Sequence, residues 1–256
     1  LSLHDALPIS AAVAAGGAIA GMSLQPFSTY LPLYQKLFAF NDALAPFMDN
    51  ARPYAWALIH VSEELKNSLD EAGGSDPAVN YRARFEGLYA PVLGAAQALR
   101  SGHVPFATLS DTLLKNGGIQ PEAEVIIVPD LAACSDETRS ALEAVARNHS
   151  LTLIDLSTLA GSWHLSADLA PLQAQLLLAI GDPPCSVSGP DGFTASWHLD
   201  RDTGNLMACL VRNWDWFWFW DEHDSTWTDD VPTPPFQGLE LHLDRPVSAA
   251  WARDFE

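Results

Sequence analysis

With 256 residues, 48% of them hydrophobic and 10% aromatic, the chain is long enough for one large domain or two ordinary ones and can bury a core, which excludes wholesale disorder. A net charge of −19 repels phosphates and anionic lipid, so neither nucleic acid nor a membrane is an expected partner, whereas neutral ligands such as sugars are indifferent to its sign. The three cysteines, Cys134, Cys185 and Cys209, are odd in number and widely spaced, without the CxxC pairs of a zinc site or the even count of a disulfide framework.

Leu1 to Ile9 (LSLHDALPI) resemble, on back-translation, the end of a short-read library adapter. On that reading residues 1–9 are an artefact outside fold reasoning, and the protein proper begins upstream with any catalytic residue encoded there. The alternative is a short amphipathic arm broken at Pro8. Ala11 to Met22 is Ala/Gly-rich, lacks a basic flank and falls short of the roughly 20 residues that span a bilayer, so no membrane span is expected and the compartment stays open.

Ala11 to Gly21 suits a close-packed helix and a turn at the end of a larger domain. Leu33, Leu37 and Phe40 have helical spacing, and Asn41 and Asp42 offer a cap for a second short helix through Met48. Arg52-Pro53 breaks the pattern, and Tyr54 to Val61 (YAWALIHV) reads as a buried strand. Glu71 to Pro77 is a polar loop, Phe85 to Leu99 a helix with one apolar stripe, and His103 to Phe106 leads into a short strand. Ala123 to Val128 (AEVIIV) is the continuous apolar run of a strand covered on both faces. Ser135 caps a helix with Asp136 and Glu137 in its first turn and Leu142 and Val145 facing inward; Leu151 to Leu156 is the next strand and Leu169 to Ile180 a last helix. Alternating elements at this spacing predict an α/β fold with a doubly wound, mostly parallel sheet.

The texture changes at Gly181-Asp182-Pro183-Pro184. Phe193 to Leu199 alternates as a half-buried strand, Asp202 to Asn205 is a hairpin turn, and Leu206 to Trp220 and Leu239 to Leu243 continue as strands of an antiparallel module.

Little here carries chemistry. Cys134 stands just before a helix, where the dipole lowers a thiol pKa, but no glycine elbow surrounds it, and it reads as a small buried hydrophobe. GxSxG, P-loop and GxGxxG patterns are absent, and no histidines fall at HxH or HxxxH spacing, so no cofactor or metal is expected. Glu63 and Glu64 follow the first strand, where an open α/β sheet binds ligands; the plainer reading makes them helix-initiating carboxylates. In Asn213 to Trp220 (NWDWFWFW), a strand would place Trp214, Trp216, Trp218 and Trp220 on one face, either as a sugar-stacking platform or as a surface clamped in an interface. The acidic loop of Asp221, Glu222, Asp224, Asp229 and Asp230 lacks the spacing of a calcium loop.

Tyr54 to Ile180 resembles the amidotransferase-like domain, often called the β-galactosidase trimerisation domain, that follows the barrel in family 42 β-galactosidases. The likeness rests on YAWALIHVSEE, RFEGLYAPVLGAAQALRSGHVPFATLSD and VIIVPDLAACSDETRSALEAVARNHSLTLID, with Val128-Pro129 and Ser135-Asp136-Glu137 kept at the third strand's end. It departs where relatives place Gly-Gly before the fourth strand, since Asn148-His149-Ser150 stands here, with Asn148 able to turn left-handed. The resemblance implies a flavodoxin/class I amidotransferase-like sheet over residues 52–183, a small β-sandwich over 184–256 and a helical remnant of a TIM barrel over 10–51. Relatives carry two catalytic carboxylates on the barrel, so no catalytic residue is carried over to this chain. Its expected role is the non-catalytic carboxy-terminal part of a glycoside hydrolase, forming a homo-oligomer and meeting carbohydrate through the parent enzyme. The alternatives are a carbohydrate-binding module using the Trp-rich strand and a free-standing amidotransferase-like enzyme.

Overall fold

The computed structural model describes residues 38–39, 42–72, 78–79, 85–159, 170–189, 193–212, 238–244 and 246–250. They fall into two compact units, Tyr54–Ser186 and a second drawn from Leu1–Pro53 and Val187–Glu256. The architecture is mixed α/β, with a parallel four-stranded sheet in the first unit and a separate antiparallel sheet in the second.

In chain order, β1 (Ala51–Pro53) belongs to the second unit and β2 (Ala57–Val61) opens the first. β2 pairs in parallel with β3 (Phe106–Ser110) on one side and β4 (Val125–Val128) on the other, and β4 pairs in parallel with β5 (Thr152–Asp155). The order is therefore β3-β2-β4-β5. All four residues of β4 are buried, as are Ala57 to His60, because both faces of these central strands are covered. Alternation divides them. Leu58, Ile126 and Val128 join Leu109, Leu114, Leu142 and Ala146 in one cluster, while Ile59, Val125 and Ile127 are buried on the opposite face.

α1 (Glu63–Ala72) follows β2, and α2 (Ala90–Ser101) precedes β3. The single helix expected from Phe85 is divided, a π-helical turn over Phe85–Tyr89 passing into α2, where Pro91 sits in the first turn. Proline's fixed φ suits a helix start, and its missing N–H prevents the ladder from running unbroken through it. α3 (Asp111–Lys115) leaves β3 directly, α4 (Asp136–His149) joins β4 to β5, and α5 (Ala170–Ile180) comes after β5 and a 3-10 turn over Leu156–Thr158. α3 and α4 supply Leu114, Leu142 and Ala146 to the first cluster. α2 and α5 pack on each other and on β2 and β5 respectively, and their buried residues lie outside that cluster. A Cβ on Gly102 would come within 2.7 Å of Leu177, so the glycine permits the close approach of the end of α2 to α5.

The left-handed residue that ends α4 is Ser150, φ 57°, and not Asn148, which stays helical. Leu151 N donates to Ala146 O at 2.8 Å and Ser150 N to Arg147 O at 3.4 Å, the paired bonds of a Schellman ending. Burial of Leu151 beside Ala146 sets where the chain must turn, and that tertiary demand outweighs asparagine's local preference.

β6 (Cys185–Ser188) straddles the boundary between the units and leads into β7 (Phe193–Asp200) and β8 (Leu206–Arg212) of the second, where the antiparallel order is β1-β7-β8. β9 (Glu240–Leu243) pairs with β6 in a two-stranded sheet. The helical pattern does end before Arg52-Pro53, the units divide after Pro53, and the two residues lie in β1, paired with Leu199 and His198. Proline is tolerated because β1 lies at the edge of the sheet and Pro53 is its last residue. The β7–β8 hairpin closes through Asp200 N to Asn205 O at 2.9 Å, with Gly204 at φ 70°. Asp200 Oδ1 accepts from the amides of Thr203 and Asp202, bonds that hold its carboxyl below the usual range. The helix expected up to Met48 appears over 42–48; those expected at Ala11 to Gly21 and over most of Leu31 to Phe40, and the strand continuing to Trp220, lie outside the described residues. Among the described residues no helix is long and apolar enough to cross a membrane.

Candidate functional site

Parallel strands bring their carboxyl ends to one edge, and ligands of open α/β sheets bind there, between neighbours whose chains run off in opposite directions. With the order β3-β2-β4-β5, that place lies between β2 and β4. The residues reaching it are Ser62, Glu63 and Glu64 after β2, Asp111 after β3, and Asp130, Cys134 and Ser135 after β4.

Asp111 is the centre of a buried network. Its Oδ1 lies 2.8 Å from His60 Nε2, and its Oδ2 accepts from Ser62 Oγ at 3.3 Å and from Glu64 N at 3.0 Å. A carboxylate only accepts, so His60 carries its proton on Nε2. Burial pushes the His60 pKa down, outweighing the hydrogen bond to Asp111 and the attraction of Asp111 and Glu64. The neutral ring leaves Nδ1 as a buried lone pair with no hydrogen-bond partner. Ser62 Oγ in turn accepts from Leu65 N at 3.0 Å, so Ser62 and Asp111 together satisfy the first free amides of α1.

Glu64 faces the other way. It accepts from Ser135 Oγ, from Thr138 Oγ1 at 2.9 Å and from Lys115 Nζ at 3.3 Å. The bonds to Ser135 and Thr138, followed by that to Lys115, hold its carboxyl below the ordinary range. The negative charge thus sits at the amino end of α4, where the helix dipole favours it. Lys115 also reaches Glu137 at 3.4 Å, and Thr112 Oγ1 donates to Glu63 Oε2 at 3.0 Å. Glu63 and Glu64 do start α1, as their plainer reading has it, but the Glu64 carboxylate serves α4.

These contacts do not make a nucleophile. Ser62 is bonded to Asp111 and to Leu65 N rather than to the histidine, so the histidine is not placed as its base. Cys134 is buried, its Sγ donates to Asp130 O at 3.4 Å, and burial followed by Asp111 and Asp130 pushes the thiol up to about 11. Such a thiol is protonated at neutral pH and inert, despite its place before a helix. Asp130 Oδ1 is engaged with the amides of Ala132 and Ala133. Among the described residues no three His, Cys, Asp or Glu side chains gather as a metal site.

Trp214, Trp216, Trp218 and Trp220 lie outside the described residues, as do Asp221, Glu222, Asp224, Asp229 and Asp230. Sequence reasoning missed His60, Ser62 and Asp111. A signal for them existed: His60 is the one polar residue in a strand expected to be buried, and a buried polar group requires a partner. No family model matches this chain, and no curated protein and no solved structure does either.

At pH 8 a thiol of pKa about 11 is ionised about 100-fold less than one at 9.0. Iodoacetamide is therefore expected to label Cys134 about 100-fold more slowly in the native protein than after denaturation, read by peptide mass spectrometry. Native labelling within a few-fold of the denatured rate would contradict the buried, protonated thiol.

Proposed function

We propose that this chain is the non-catalytic carboxy-terminal part of a β-galactosidase-like glycoside hydrolase, serving assembly and shaping the rim of an active site carried elsewhere in the parent enzyme. In this reading the four parallel strands belong to a doubly wound, class I amidotransferase-like sheet, followed by a small β-sandwich, with the residues before them the end of a barrel. The strand order β3-β2-β4-β5, with α3 and α4 contributing to the cluster on one face and the buried residues of α2 and α5 lying outside it, supports the sheet assignment.

The observation that carries the proposal is the closed carboxyl edge. Where a working amidotransferase-like sheet exposes an activated thiol, Cys134 is buried and protonated, and Asp111, Ser62 and Glu64 are engaged with helix starts and neighbouring side chains. That arrangement weighs against a free-standing enzyme acting through Cys134 and suits a domain retained for its surfaces.

One surface fits a second copy of the chain. α5 contains no acidic or basic residue, and Pro171, Ala174 and Leu178 are exposed along one stripe, Leu178 at 85%. Copies carrying a net charge of −19 repel one another, least where a face has no charge to bring.

The purified chain is expected to show no turnover of aryl β-galactosides; measurable turnover that survives repurification would overturn the non-catalytic reading. Sedimentation is expected to give a species heavier than 27.7 kDa that Leu178→Asp reduces to monomer. A monomeric wild type, or an oligomer indifferent to that substitution, would remove α5 as the assembly face.

A further inference from the structure

We propose that His60 and Asp111 form an acid-sensitive latch, which fastens the start of α1 to the carboxyl edge of the parallel sheet and releases it as the medium turns mildly acidic. The geometry supplies both halves of the device. His60 is completely buried on β2, and its one N–H is committed to Asp111 Oδ1 at 2.8 Å. The same carboxylate's Oδ2 holds Glu64 N at 3.0 Å and Ser62 Oγ at 3.3 Å, so the histidine's partner is also what pins the first turn of α1. A second proton would have to enter at Nδ1, which is buried and faces no acceptor. His60 therefore gains that proton freely only when the edge opens to water.

The titratable groups near this network are Asp111 from α3, Glu64 from α1 and Cys134 from the β4–α4 connection. Asp111 and Glu64 both favour a charged histidine, yet burial prevails and the His60 pKa stays below 6.5. Cys134, pushed up to about 11, does not titrate in the acidic range. Glu64 is held below 4.5 chiefly by Ser135 and Thr138, so it keeps its charge while His60 responds. A histidine whose pKa is lower in the closed state than in the open one stabilises closure fully above 6.5, and this contribution is lost as pH falls below that value. The carboxylate effect at Glu64 begins only below 4.5, which separates the two windows.

Hydrogen exchange by mass spectrometry on the whole chain, at about pH 7.5 and about pH 5.5 and corrected for intrinsic rates, tests the latch. With an open-state pKa of about 6.5, opening gains at most about tenfold between these conditions. Peptides over Glu63–Ala72 are expected to exchange faster at the lower pH, by at most about tenfold, while Val125–Val128 of β4 stays unchanged. His60→Gln, which keeps a donor toward Asp111 but does not titrate in this range, is expected to abolish the increase. No increase in the wild type, an equal increase in β4, or an increase that survives in His60→Gln would each overturn the proposal. Should His60→Gln fail to fold, the wild-type comparison of α1 with β4 remains decisive.

Discussion

Asp111 is 3% exposed, and burying its carboxylate is tolerable only if the oxygens are fully engaged. Its three partners, His60, Ser62 and the amide of Glu64, stand 51, 49 and 47 residues earlier in the chain. No local preference brings them together. They meet because β2 and β3 pair in register, Val61 beside Ser110, which sets the residues just beyond each strand side by side at the sheet's carboxyl edge. Moving that register by one residue would separate the carboxylate from its donors and turn His60 to the other face. The buried charge thus holds the strand pairing that positions it.

A second relation extends the same logic across the edge. The start of α1 is satisfied by Asp111 and Ser62, which accept from the amides of Glu64 and Leu65, and that of α4 by Ser135, which accepts from the amide of Thr138, while Glu64 accepts from the hydroxyls of Ser135 and Thr138. Helix starts in open α/β sheets are commonly where anions bind, because their free amides and dipoles point outward. Here the Asp111 carboxylate takes an amide of α1 directly, and the Glu64 carboxylate binds side chains in the first turn of α4. Asp111 and Glu64 are thereby engaged with neighbouring helices of the fold.

Much of the fold was legible in the sequence, for identifiable reasons. Val125–Val128 is a continuous apolar run, which only a doubly covered strand accommodates, and Ser135 with Asp136 and Glu137 marked the start of α4. What escaped depended on tertiary context. Arg52-Pro53 marked the end of the helical pattern but not its pairing beside β7, where an edge strand has no need of proline's missing N–H at its last residue. Asn148 looked like the left-handed residue, whereas the burial of Leu151 placed that conformation at Ser150. The edge network was the least legible part. Glu63 and Glu64 could be placed beside it from the strand's end, while Asp111 gave no local sign that it would be buried, and His60 was recognisable only as a polar residue without an evident partner.

The keystone role of Asp111 is tested most directly by urea denaturation of Asp111→Ala at neutral pH, in parallel with the wild type. The substitution leaves His60 Nε2–H, Ser62 Oγ and the Glu64 amide without the acceptor they share. A loss of about 3 kcal/mol is expected, in the range seen when a buried charged partner is removed from its donors. A loss below about 0.5 kcal/mol, the scale of an ordinary surface substitution, would show that the carboxyl edge does not depend on this carboxylate.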